Sequence, residues 1–104
     1  MNQQVAITIW NDRPHLHIVW IEPWGDDYTL LPKQKFTVTT TGPDSGSGPW
    51  FALVETDGNT QVYVERVAYP LVERGAYPLV EVDGIRVEGG HNRQAAKDAG
   101  VWRG

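Results

Sequence analysis

Residues 50–67, WFALVETDGNTQVYVERV, decide the fold class. Trp50 to Thr56 and Thr60 to Val67 are rich in the β-branched and aromatic side chains that suit a pleated strand. Asp57-Gly58-Asn59 between them supplies residues that tolerate the positive φ of a tight corner, so the spacing predicts an antiparallel hairpin with a three-residue connection. The pattern returns downstream, where Leu79 to Val82 and Ile85 to Glu88 flank Asp83-Gly84, the dipeptide preferred for a two-residue turn.

Working toward the N-terminus, Lys35 to Thr41 reads as a Thr-rich strand with Phe36 and Val38 on one face, followed by the Gly-, Ser- and Pro-rich loop 42–49. Pro32-Lys33-Gln34 and Gly25-Asp26-Asp27 read as turns around an extended Tyr28 to Leu31. Val5, Ile7 and Ile9 alternate with Ala6, Thr8 and Trp10, and Asn11-Asp12-Arg13-Pro14 then leads to a second run, His15 to Glu22. These two runs predict an opening hairpin whose second strand sends Leu16, Ile18 and Trp20 to the core. At the C-terminus, Asn92 suits a cap for a helix over Arg93 to Ala99. Gly100 suits a left-handed stop, with Val101 or Trp102 folding back on the last turn.

About seven short antiparallel strands and one short C-terminal helix predict an all-β domain over residues 1–104: a small β-sandwich, with a partly open barrel as the related alternative. Helical crossovers for parallel strands are missing. A chain of 104 residues has room for one core.

Nine Lys and Arg against thirteen Asp and Glu give a formal charge of -4, without a basic stripe for phosphates, so nucleic acid is not expected as a partner. No Cys is present, which removes disulfides, thiolate metal sites and a cysteine nucleophile. The polar start, Met1 to Gln4, does not resemble a signal peptide, and no apolar run is long enough to span a bilayer. A cytoplasmic address without membrane contact is the expectation.

Ala68-Tyr69-Pro70-Leu71-Val72-Glu73 recurs eight residues later as Ala76-Tyr77-Pro78-Leu79-Val80-Glu81. An even offset keeps the in-out pattern in either register, so one copy is surplus. It is either absorbed at a sheet edge or projects its Tyr-Pro step, Tyr69 or Tyr77, toward a partner.

Three constellations could carry chemistry. His15 and His17 lie two apart on an extended run, so both imidazoles would share a face. With His91 they would make a three-nitrogen site for a divalent transition metal, the alternative being surface histidines. Glu22, Asp26 and Asp27 surround Pro23-Trp24-Gly25 and could act as paired carboxylates, although aspartates beside glycine are ordinary turn residues. Among the five Trp, Trp24 and Trp50 adjoin prolines at loop edges, where with Tyr28 they could stack on a sugar ring or anchor a partner. Ser45 and Ser47 sit in the Gly-rich loop, unsuited to hold a nucleophile.

The run from Ile21 to Pro32, with Glu22-Pro23-Trp24-Gly25, Tyr28, Leu30 and Pro32, resembles a motif of small uncharacterised bacterial β proteins, Glu-Pro-Trp-Gly-x-x-Tyr-x-Leu-x-Pro. The match covers about an eighth of the chain. In those proteins Gly typically follows the last Pro, where this chain has Lys33. The resemblance implies a compact bacterial β-sandwich, and there is a general likeness to cupredoxin- and immunoglobulin-type sandwiches without the copper-binding Cys.

No constellation assigns a reaction. The leading expectation is a non-enzymatic domain that works by protein contact or self-association as a homodimer. A small-ligand or carbohydrate-binding module using exposed Trp and Tyr is the first alternative, and a His-based metal protein is the second.

Overall fold

Asp57 and Gly58 take φ of 52° and 78°, and Asp83 and Gly84 take 51° and 81°. Both pairs therefore form the two-residue corners that mirror-image turns require, and the first connection is one residue shorter than the expected three because Asn59 already pairs with Thr56. The computed structural model describes residues 2–43, 49–65 and 77–102. Its elements are β1 (Asn2–Trp10), β2 (His17–Glu22), β3 (Asp26–Leu30), β4 (Lys35–Pro43), β5 (Phe51–Thr56), β6 (Asn59–Val64), β7 (Leu79–Val82), β8 (Ile85–Arg86) and α1 (Arg93–Asp98). The first repeat copy with Tyr69, and Ser45 and Ser47, lie outside the described residues.

The strands form two four-stranded sheets, ordered β1-β4-β7-β8 and β3-β2-β6-β5. Val19, Ile21, Tyr28, Leu30, Val62 and Val64 of the second sheet meet Phe36, Val38, Val80 and Val82 of the first in one buried core. The Tyr28 and Phe36 rings, 5.2 Å apart, bridge the layers. Each such side chain contributes about 1.5–3 kcal/mol by leaving water, so the inter-sheet layer is the main source of stability. The all-β sandwich read from the sequence is the fold observed. Among the described residues no helix is long and apolar enough to cross a membrane.

Several local expectations change. The opening hairpin does not form: β1 pairs with β4, whereas β2 belongs to the other sheet. Residues 11–16 form an arch between sheets, and its joint is the buried side chain of Asn11. The Asn11 amide nitrogen lies 3.0–3.2 Å from the carbonyl oxygens of His15, Leu30 and Leu31, while its Oδ1 accepts from Arg13 N–H. One side chain thereby satisfies polar groups that a change of sheet would strand.

The core face of β2 is also reversed: Val19 and Ile21 enter the core, and Trp20 is half-buried on the opposite face. This strand is apolar on both sides, so alternation could not choose. The choice came from its neighbours, since Val19 and Ile21 stand beside Tyr28 and Asp26 of β3 and beside Thr60 and Val62 of β6. Strands β2 and β6 run parallel, which the antiparallel expectation missed. Their connection passes through the other sheet, so no helical crossover is needed.

At the C-terminus, Asn92 adopts φ of 55° and makes no side-chain cap. The helix stop is as expected: Gly100 has φ of 72°, its N–H donates to Lys97 O, and Val101 N–H donates to Ala96 O.

Two outcomes test these local arguments. Asn11→Ala leaves buried carbonyls unpaired and should cost about 3 kcal/mol in denaturant unfolding. Lys33 occupies φ of 71°, the left-handed region, where a side chain is strained. Lys33→Gly should therefore raise stability by roughly 1 kcal/mol in the same assay.

Candidate functional site

The parallel register sets Trp20 of β2 beside Gln61 of β6 on the outer face of the second sheet. Around this pair opens a cleft of about 570 Å³, in the size range of small-molecule sites. Its wall on one side is the β5–β6 corner, Thr56 to Asn59. Glu22, Gly25, His15 and Leu16 supply further lining, as does Val101 beyond the helix. A smaller, mostly apolar hollow of about 350 Å³ continues past His15, Leu16 and Val101 to Pro14, Pro32 and Ala99.

The corner that walls the cleft is held by a hydrogen-bond relay. Arg13, on the arch, donates to Gly58 O and to Glu55 Oε2 at 3.3 Å, and its guanidinium lies 3.3 Å from His17 Nδ1. Arginine can only donate, so Nδ1 accepts and the His17 proton sits on Nε2. From there it donates to Thr60 Oγ1 at 2.9 Å, and the Thr60 hydroxyl in turn donates to Glu55 Oε1 at 3.0 Å. Asn59 adds a brace, its Oδ1 accepting Ile18 N–H. Burial, and then the Arg13 charge, hold the His17 imidazole below its ordinary value, so it is neutral at physiological pH.

The opposite boundary depends on Asp27. This residue is buried within β3, a correction to its reading as a turn residue. Its carboxylate accepts two nitrogens of Arg93 and, at 3.0 Å, Trp102 Nε1. Arg93 and Lys97 also lie over the Trp102 ring, 5.4 and 4.9 Å from its centre. The helix and Trp102 are thus fixed against β3, and Val101 is delivered to the cleft. Burial would raise the Asp27 carboxyl, but the bonds from Arg93 and Trp102 outweigh it and hold the group below the ordinary aspartate range. Its contribution is complete above the ordinary value of 3.8 and is lost as pH falls below it.

The residues singled out in the sequence divide between the interior and the surface. Trp24, Tyr28 and Tyr77 do come together, with Tyr28 in the core and the half-buried Trp24 and Tyr77 packed against it. Tyr28 is fully buried, its hydroxyl lies 2.5 Å from that of Tyr77, and Tyr77 packs edge-on to Trp24 at 5.0 Å. Burial pushes the Tyr28 hydroxyl up to about 12, and burial with bonds to Tyr28 and Asp26 pushes Tyr77 higher still. Trp50 is half-buried ahead of β5, and its carbonyl accepts Glu65 N–H.

The three histidines lie in three settings. His15 is an exposed cleft residue on the arch, His17 is buried with both ring nitrogens engaged, and His91 bridges the outer edge of β3 beside Tyr28. Among the described residues no three His, Asp or Glu side chains gather as a metal-binding group.

Sequence reasoning missed Trp20, Asn59 and Gln61. The alternation of Gln61 and Tyr63 with inward Val62 and Val64 marks an outward polar face on β6, but nothing in the sequence placed Trp20 next to it.

The neutral His17 gives a pH signature with a definite sign. Above 6.5 folded and unfolded states are both deprotonated. Below it the unfolded chain takes up a proton that the folded chain resists, so stability declines as pH falls. His17→Gln should flatten the fall in unfolding midpoint below neutrality, leaving the share of His91, which burial also holds low. An unchanged slope would show that His17 titrates freely.

Compared with known protein families, curated proteins and solved structures, the chain matches none.

Proposed function

We propose that this β-sandwich is a small-ligand-binding module that takes a neutral carbohydrate ring into the cleft beside Trp20. The observation that carries the reading is the composition of that lining. A Trp stands among two carboxylates, Glu22 and Asp57, two carboxamides, Asn59 and Gln61, and one imidazole, His15. An indole packs on the C–H face of a sugar, while amides and carboxylates bind its hydroxyls. Among the described residues neither Lys nor Arg lines the cleft, and the carboxylates repel anions, which favours a neutral sugar over its phosphorylated form.

The supports of the cleft agree with a binding role. Both walls are held by buried or part-buried hydrogen bonds, from His17 and Thr60 on one side and from Asp27 on the other, which supports a preformed cleft.

Titration of a panel of neutral mono- and oligosaccharides, followed by intrinsic Trp fluorescence and by the unfolding midpoint, tests this. At least one neutral sugar should raise the midpoint, and its phosphorylated analogue should not. Trp20→Ala should weaken that binding by about tenfold or more while the fold persists, because Trp20 is outside the inter-sheet core. A flat panel, or affinity that survives Trp20→Ala, would overturn the reading.

A further inference from the structure

A sandwich of two open sheets has four edges, and three of them carry a protective device. The outer edge of β3 is covered by Gly90 and His91, through Gly90 N–H to Asp27 O at 2.7 Å and Thr29 N–H to His91 O at 2.9 Å. Strand β8 is two residues long and ends on Arg86. Strand β5 is six residues long and carries Glu55, which pairs with Arg13. Short strands, charges and covering segments are the usual means of keeping an edge from pairing. Among the described residues, strand β1 has none of these. It runs nine residues, NQQVAITIW, without a charge or a proline, and among the described residues it pairs only with β4.

The direction of its free backbone groups follows from the ladder. Lys35 N–H donates to Asp83 Oδ1 and Lys35 O accepts Asp83 N–H, so Lys35 points its backbone toward β7. Alternation then turns Phe36, Val38 and Thr40 toward β1, where they face Ile9, Ile7 and Val5. The N–H and C=O groups of Gln4, Ala6, Thr8 and Trp10 therefore point to the open edge.

We infer that β1 pairs antiparallel with β1 of a second copy of this chain, about a two-fold axis at Ala6, joining two four-stranded sheets into one of eight. The strand is its own complement in that register. Ala6 meets Ala6 at the axis, where the smallest side chain of the exposed face lets the strands approach. Gln4 meets Thr8 on that face, and Val5 meets Ile7 on the core-facing side, where both are already half-buried. Every pair directed at the edge exchanges two main-chain hydrogen bonds. Because β1 is uncharged, a two-fold axis brings no like charges together, whereas a copy of β5 on itself would bring two Glu55 carboxylates onto one short ladder.

Sedimentation equilibrium over a range of concentration, with an engineered cysteine in this cysteine-free chain, tests the pairing. The wild type should show twice the 11.7 kDa chain mass. Ala6→Lys, an exposed substitution that places two ammonium groups at the axis, should give the single-chain mass with its unfolding transition retained. Ala6→Cys should form a covalent dimer under mild oxidation, because paired Cα atoms across such a ladder lie within disulfide reach. Val54→Cys on the β5 edge should not. A wild-type monomer at every concentration, a dimer that persists in Ala6→Lys, or cross-linking through Val54→Cys instead of Ala6→Cys would each overturn the inference.

Discussion

The architecture rests on a change of sheet directly after Trp10. Had the chain turned back there, β1 and β2 would have made a local hairpin and the two layers would not have been built from interleaved strands. The turn is refused because the Asn11 side chain serves as a junction. It reaches the carbonyls of His15, Leu30 and Leu31, while its backbone carbonyl accepts Lys33 N–H and its own N–H donates to Gln34 O. The arch and the β3–β4 connection are thereby joined at one buried amide. A side chain with both a donor and an acceptor end is needed at that point, and Asp, which only accepts when ionised, could not satisfy three carbonyls.

A second constraint governs the outer face of the β3-β2 pair. Ile18 and Thr29 are both fully buried although neither belongs to the inter-sheet core, which means that this face has a cover of its own. Helix α1, six residues long, is too short to be stable alone and is held by Asp27 through Arg93 and Trp102. Taking a carboxylate out of water is costly unless its oxygens are fully engaged, and here they are. The same contact sets where Val101 lies, so one buried acid links packing of the helix to the shape of the cleft.

The two proposals occupy different parts of the molecule. The cleft lies on the outer face of the second sheet, beside Trp20, and the pairing edge lies on β1 of the first. A dimer through β1 would leave the cleft of each copy open and would give the assembly two binding positions. Binding and self-association can therefore be separated by mutation, and two linked sites would raise avidity for a ligand with repeated units.

Turn chemistry and composition were legible in the sequence because they are local. Asp57-Gly58 and Asp83-Gly84 declare their positive φ, Gly100 declares the helix stop, and short β-branched runs between such corners leave little besides an all-β sandwich. Only the tertiary structure decided which face of β2 is inside, that β2 and β6 run parallel, and that Asp27 is an anchor rather than a turn residue. The reason is physical: His17 to Glu22 is apolar on both faces, and Asp27 differs from an ordinary surface aspartate only by Arg93 and Trp102, 66 and 75 residues away in the chain. Period-two alternation reports that a strand exists. Its neighbours, set by contacts distant in sequence, determine which side is buried and where a cleft can open.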